Sequence, residues 1–386
     1  MERRQHVVVG AGLLGLCTAA ALTAWGRDVL VLERHDVGHA LSGSKGVSRI
    51  FRLGYEDPEY VAMAMAAGQR WRLLEDRAGT SLLTVTGQLS FAERLDPLRE
   101  AMEAAGAPCR HLGAEEVAER FPGLRFGGPA VYEPDSGVLA AAEALEALAR
   151  VGGELRAGTT VTGLHDDGRE VTIDTTDDRV TAATVVLCPG AWSAPVAALA
   201  GVRVETTPTL EQVAYFRPGG GARHGALPVF IRHGHDSAYG LPTPGSDLYK
   251  VAFHGAGPVV DPDEAGRRPE LAEPDPTIDD RLSGLVESHL PSLDPTVVTS
   301  ERCFYDNTAD GDFVLDRVGR VVLGAGTSGH GFKFGPLLGE QLAALATDRP
   351  PDPPVGRFRL GRTAPLPPSA VTGDVPIGQT GAVKEE

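Results

Sequence analysis

Lysine is almost missing from this chain of 386 residues. Of its 36 basic residues only Lys45, Lys250, Lys333 and Lys384 are lysines, and the other 32 (36 minus 4) are arginines. Drift of a GC-rich genome toward arginine accounts for the scarcity but not for the positions that kept lysine. The two are not interchangeable where a buried cation must be compact or must release its proton. Other absences exclude whole classes of function. With 52 acidic residues the net charge is −16, so nucleic acid is not an expected partner. No stretch approaches ~20 consecutive apolar residues, so no membrane span is expected. The start, MERRQHVVVGAG, enters a strand within a few residues and lacks the apolar core and cleavage site of a signal peptide. The expected compartment is therefore the cytoplasm. Cysteine is scarce too. Cys17, Cys109, Cys188 and Cys303 are widely spaced, with no C-x-x-C pair or Cys/His cluster to hold zinc, so no metal site is expected. Disulfides are not expected in a reducing compartment. What the chain does have is bulk: 42% hydrophobic residues, enough for two domains or one large interleaved unit.

The most informative stretch is residues 6–34, HVVVGAGLLGLCTAAALTAWGRDVLVLER. Val7 to Val9 form an apolar, β-branched run that suits a buried parallel strand. Gly10, Gly12 and Gly15 follow as G-x-G-x-x-G, then an Ala/Leu-rich helix ending near Gly26, then a second strand closing on Glu33. This is the βαβ dinucleotide fingerprint in its required context. Gly10 permits the tight turn, Gly12 lets the backbone approach a pyrophosphate, and Gly15 lets the helix pack on the strand. Glu33 can accept hydrogen bonds from a ribose diol, and its charge argues against NADP. The fingerprint alone does not separate FAD from NAD.

Further along, residues 42–57 are polar, small and basic, as in a loop near an anionic cofactor, and a helix is expected from Pro58. LTVTGQLSFA reads as strands, LDPLREAMEAAG and GAEEVAERFPGL as short helices. GPAVYEPDSGVLAAAEALEALARVGG reads as a strand, a loop and a helix. Residues 205–299 read as an antiparallel sheet. GRVVLGAGTSGHGFKFGPLLGEQLAALAT returns to an apolar strand, a glycine-rich loop and a helix. The expected class is α/β (α+β): a Rossmann-like FAD-binding domain with an interleaved substrate domain on a mainly antiparallel sheet. The expected division is 1–80, 140–204 and 300–364 for the cofactor domain, 81–139 and 205–299 for the substrate domain, and a Pro/Gly-rich, loosely held tail at 365–386.

Several separated motifs carry a resemblance: VVVGAGLLG, SRIFRLGY, EPDSGVL, PGAW, YGLPTPGSDLYKVAFH, CFYDNTADGDFVLD and AGTSGHGFKF. In these, over residues 5–364, the chain resembles the monomeric sarcosine oxidase family of D-amino-acid-oxidase-like flavoproteins. The resemblance implies a monomer that oxidises a small-molecule secondary amine, passing a hydride equivalent to FAD and then reducing oxygen to peroxide. It implies FAD linked covalently to Cys303, whose thiolate a neighbouring cation such as Arg302 would favour. Arg52 and Lys333 fall on the positions that bind substrate carboxylate. Arg49 falls close to the flavin, Lys250 on the oxygen-activating lysine, and Tyr239, His254 and Tyr305 on pocket residues, with His254 a candidate proton carrier. Leu13, Arg34, Ser42, Ser48, Val161, Gly190, Trp192, Gly326, Gly329 and Gly331, with Lys333, join the fingerprint glycines and Glu33 as cofactor contacts. The chain departs at Lys45, where the family has a histidine near the flavin. That departure puts sarcosine itself in doubt as substrate. The rival readings are a flavin dehydrogenase that passes electrons to a carrier, a tailoring oxidase of a natural-product precursor, a non-catalytic flavin scaffold, and an NAD-dependent oxidoreductase.

Overall fold

In the computed structural model the described residues are 2–219, 227–234 and 236–362. The tail expectation for 365–386, with Lys384, lies outside them. Five parallel strands form the centre of the first sheet, in the order Glu154–Arg156, Val29–Leu32, Glu2–Val9, Arg179–Leu187 and Val321–Ala325. Strand Val314–Val318 adds antiparallel at one edge. The hairpin of Val161–Asp166 and Val171–Thr175 pairs with the first half of Arg179–Leu187. Both faces of the central strands are buried. Val8, Val31, Val186 and Val322 pack toward the helices, while Val7, Leu30, Val185 and Val321 pack on the other side. Their unbroken apolar runs follow from that double burial.

Register decides where the site lies. Val9 stands opposite both Leu32 and Leu187, and Leu187 opposite Leu323, so the C-terminal ends of four parallel strands are level. The chain leaves Glu2–Val9 between neighbours on either side, the switch point at which open α/β sheets bind ligands. Helix Leu13–Ala24 starts there and is buried nearly all round, packed against helix Gly335–Ala346 through small residues. A Cβ on Gly339 would lie 2.6 Å from the backbone of Cys17, so the two helices meet at glycine distance.

The second sheet has eight strands, from Leu293–Asn307 through Thr207–Pro218, Tyr249–Phe253, Ala238–Pro242, Val229–Arg232, Gln88–Phe91 and Ala130–Glu133 to Arg110–Leu112. It is antiparallel except where Val229–Arg232 runs parallel to Gln88–Phe91. Alternation sorts its two faces. Ala214, Phe216, Tyr249, Val251 and Phe253 pack against Leu282, Leu285 and Val286 of helix Pro276–His289. Val213, Tyr215, Lys250, Ala252 and Tyr239 take the opposite face.

The class is mixed α/β, as expected. Three local readings are corrected. The polar stretch 42–57 contains a strand, Ser48–Phe51, because Ile50 and Phe51 pair with Gly137–Ala140 in a separate three-stranded sheet. In EPDSGVL the turn after strand Ala130–Glu133 runs into a second strand, Gly137–Ala140, of a different sheet, before the expected helix at Ala141–Val151. Residues 205–299 also hold helices Pro262–Arg267 and Pro276–His289, each started by an aspartate cap and a proline, a signal present in the sequence. Among the described residues no helix is long and apolar enough to cross a membrane.

Packing at Gly339 predicts that Gly339→Ala lowers unfolding free energy by about 1–3 kcal/mol in urea titration. Because it separates the two helices that flank the cavity described next, retained flavin should fall with it.

Candidate active site

The level strand ends open on a cavity of about 710 Å³, within the ~300–1,000 Å³ of ligand sites. One end has the features of a dinucleotide cradle. Gly10 takes φ +101, and a Cβ on it would collide with the Cys188 carbonyl. A Cβ on Gly15 would collide with the Gly10 carbonyl. Gly12 precedes helix Leu13–Ala24 with no side-chain cap and no acid in the first turn, so the positive helix end faces the cavity uncompensated. The Leu13 N–H donates to the Ser44 hydroxyl at 3.0 Å. Glu33 is buried, and its carboxylate accepts from the N–H of Ala11 at 2.7 Å and of His35 at 2.9 Å. Each oxygen keeps a lone pair for a diol. Ser42, Val161, Gly190 and Trp192 line the same end. Arg34 and the Trp192 indole both donate to Asp263, at 2.9 and 2.8 Å, and close its rim. This donor set fits FAD.

The other end is walled by the open face of the second sheet. Glu301, Cys303 and Tyr305 alternate along one strand and face Lys250 and Tyr239. Lys250 is 3% exposed and donates to the Ser48 carbonyl at 2.9 Å. Burial, and then Arg49, bring its pKa down to about 7. Arg49 donates to the carbonyls of Ser48, Gly43 and Lys45 and lies 5.3 Å from the Phe332 ring. Burial pushes the Cys303 thiol up, while Arg49 and Lys250 oppose that shift. Burial raises the phenols of both Tyr239 and Tyr305. The ring of Tyr305 rests on Gly329 where any Cβ would collide.

A second pair of cations stands nearby. Arg52 lies 4.1 Å from the Tyr55 ring and donates to the Gly54 carbonyl at 2.7 Å. Lys333 sits on the single turn Phe332–Phe334, 4% exposed. It donates to the Tyr55 hydroxyl at 2.7 Å and to the His330 carbonyl at 2.6 Å. Tyr55 in turn meets His330 Nδ1 at 3.3 Å, and His330 Nε2 meets the Gly311 carbonyl at 2.9 Å. That carbonyl assigns the ring proton to Nε2, so Nδ1 accepts from Tyr55. A closed chain of neutral groups thus fixes the ammonium. Burial, then Arg52, hold Lys333 well below its ordinary pKa. Burial with Arg52 and Lys333 brings His254 down to about 4, so it is neutral near pH 7.

The cavity gathers Lys45, Ser48, Arg49, Arg52, Tyr239, Lys250, His254, Cys303, Tyr305, Gly329, Gly331 and Lys333. Gly326 is not among the lining residues; it takes φ +66 against Thr308, in a turn held by Asp306. Arg302 is corrected as well. It faces away from Cys303 and donates to the carbonyls of Leu271 and Leu210, so Arg49 and Lys250 are the cations that act on the thiol. Ser48 contributes its carbonyl, while its hydroxyl is buried with no hydrogen-bond partner. Tyr55, His330, Glu301 and His233 were not singled out from sequence. Tyr55 and His330 lie inside SRIFRLGY and AGTSGHGFKF, so the motifs contained them.

The family model described as FAD dependent oxidoreductase matches residues 5–345. The human peroxisomal sarcosine oxidase is 33% identical over 92% of this chain and 95% of that protein. Monomeric sarcosine oxidase of Bacillus sp. (strain NS-129) is 29% identical over 93% and 96%. Among solved structures, NikD, an amino acid oxidase essential for nikkomycin biosynthesis, superposes with a TM-score of 0.79. It is 28% identical and covers 90% of this chain and 95% of its own.

The Lys333 chain predicts that Tyr55→Phe leaves a buried ammonium and a buried imidazole each one partner short. Urea unfolding of the flavin-loaded protein should show a loss of about 1–3 kcal/mol.

Proposed function

The chain belongs to the FAD dependent oxidoreductase family, and from that premise we propose that it is a sarcosine oxidase-like amine oxidase. It would oxidise the C–N bond of a secondary or cyclic amino acid to an imine and reduce oxygen to hydrogen peroxide, acting as a monomer. One observation carries the reading: two pairs of cations, Arg52 with Lys333 and Arg49 with Lys250, converge on the cavity that ends at the dinucleotide cradle. The first pair suits a carboxylate, held by a planar guanidinium and a point charge. The second pair suits negative charge that develops during electron transfer.

When bound, FAD would supply the acceptor for a hydride equivalent, two electrons and one proton, from the carbon next to nitrogen. Gly10, Gly12, Glu33 and the start of helix Leu13–Ala24 would hold its dinucleotide end, and Cys303 would hold it covalently. Arg52 and Lys333 orient the amino acid by its carboxylate. Tyr239, Tyr305 and His254 would close the space around its nitrogen, and neutral His254 would accept the proton released there. Lys250, poised between charged and neutral, faces oxygen with a cation that Ser48 holds in place. Lys45 also lines this region. Its ammonium has no ion pair among the described residues, and it adds positive charge where the resemblance implies a histidine.

An anaerobic panel of N-methyl and cyclic amino acids, read by loss of the yellow colour, tests the reaction. Peroxide release in air then separates an oxidase from an enzyme that passes electrons to a carrier. Acid precipitation should leave the colour in the pellet for the parent protein and in the supernatant for Cys303→Ser. Lys250→Met should bleach normally with substrate without oxygen, yet regain colour in air at least ten times more slowly. The sign with pH follows from a base held at about 7. Lys250 is charged below that pH, so colour return in air should be fastest there and slow as pH rises through it. Lys250→Met should lose this dependence.

A further inference from the structure

Glu133 is wholly buried at the end of strand Ala130–Glu133, and the reaction above makes no use of it. Its carboxylate is ringed by neutral donors. Oε2 accepts from the N–H of Leu53 at 3.0 Å and of Gly54 at 2.9 Å, and from the Ser136 hydroxyl at 2.7 Å. Oε1 accepts from the Gln88 amide at 2.7 Å and the Ser90 hydroxyl at 3.3 Å. Gln88, Ser90 and Ser136 are themselves fully buried. A buried carboxylate without a paired cation is costly and calls for an explanation.

The peptide it grips gives one. Leu53 and Gly54 lie between Arg52 and Tyr55. Arg52 donates to the Gly54 carbonyl, and the Tyr55 hydroxyl receives Lys333. One carboxylate therefore clamps the segment that carries one cation and the partner of the other. The approach is so close that a Cβ on Gly54 would collide with Glu133 Oε1. Charge gives a second reason. The groups around Lys333 are Arg52 and Tyr55 from that segment, His330 from its own loop, His254 from just after strand Tyr249–Phe253, and Glu133. Burial keeps Tyr55 protonated and both histidines neutral. Glu133 is then the negative group that favours the charged form of Lys333 against burial and Arg52.

We propose that Glu133 is a positioning residue for the anion-binding pair: it fixes the segment 52–55 and supplies the countercharge that lets Arg52 and Lys333 both stay charged. This rests on reading that pair as the anchor for the substrate carboxylate.

Two variants separate geometry from charge. Glu133→Gln keeps the shape. Gln88 Oε1 has no hydrogen-bond partner, so turning that amide over gives the new amide an acceptor, and the Ser90 hydroxyl can rotate. Glu133→Asp keeps the charge and shortens the reach. The probe is acetate, with benzoate as a second carboxylate, titrated into flavin-loaded protein and read by the change in flavin absorbance. Affinity is full while Lys333 is charged, and falls tenfold per pH unit above its pKa. Removing the countercharge lowers that pKa, so in Glu133→Gln the fall should begin on the order of one pH unit lower. Binding at alkaline pH should then be about tenfold weaker than in the parent. Glu133→Asp should bind more weakly at every pH, with the fall where the parent has it. If Glu133→Gln binds with the parent's pH profile, or Glu133→Asp with the parent's affinity, the proposal is overturned. Should Glu133→Gln not hold flavin, the Glu133→Asp titration decides alone. A parent protein that binds neither carboxylate at any pH overturns the anchor reading itself, which is a distinguishable result.

Discussion

The site depends on how closely the chain can approach itself where the first strand ends. Gly10 turns with a positive φ against the Cys188 carbonyl, and Gly15 lies on the Gly10 carbonyl. With side chains at either point, helix Leu13–Ala24 could not start between the level ends of its neighbouring strands. Glu33 would not reach the Ala11 N–H, and the positive end of the helix would not face the cavity. The same economy continues on the far side of the helix. Gly335 and Gly339 let the last helix lie against Leu13 and Cys17. The turn just before that helix carries Lys333. A cluster of glycine contacts thus sets the distance between the dinucleotide cradle and the cation that the second half of the cavity uses.

The second half is governed by electrostatics among buried groups. Lys250 and Lys333 are held by carbonyl and hydroxyl oxygens rather than by carboxylates at ion-pair distance. Each stands beside an arginine, and each is shifted toward its neutral form by burial and that arginine. An arrangement of this kind is incomplete until an anion or developing negative charge arrives, because only then is the repulsion between neighbouring cations relieved. The acids nearby act at one remove. Glu133 grips backbone, and Glu301 is tied to the Tyr215 hydroxyl while favouring charge on Lys250.

Much of this was legible in the sequence, and the limits have physical reasons. The βαβ unit was readable because its signals are local: a β-branched run, three glycines at fixed spacing and an acid at the end of the next strand. Helix Pro58–Ala78 was readable from its Asp57 cap and Pro58 start. Strand Ser48–Phe51 was not, because its four residues become a strand only by pairing with Gly137–Ala140, which is distant in sequence. The cavity residues on the second sheet were named through resemblance, and their common face then followed from strand alternation. Arg302 failed for the converse reason. Adjacent in sequence to Cys303, it points to the opposite face of the strand, and adjacency along a strand is the arrangement that keeps two side chains apart. Glu133 and Tyr55 were invisible as functional groups because what they do is hold other residues, across separations of about eighty and nearly three hundred positions.

The scarcity of lysine can now be weighed position by position. Lys333 satisfies two donors on a hydroxyl and a carbonyl, leaving a third toward the cavity. An arginine there would bring five N–H groups in a rigid plane to a pocket that offers two acceptors, and would stay charged at any pH. Lys250 has a single carbonyl acceptor and a pKa near 7, a value no guanidinium can reach. For these two positions burial suits lysine rather than arginine: the cation must be small enough to be satisfied by few oxygens. Lys45 is different. It is half-buried at the cavity wall, its backbone carbonyl serves Arg49, and neither burial nor a shortage of acceptors forbids arginine there. The contacts of the fold do not explain lysine over arginine at this cavity-lining position.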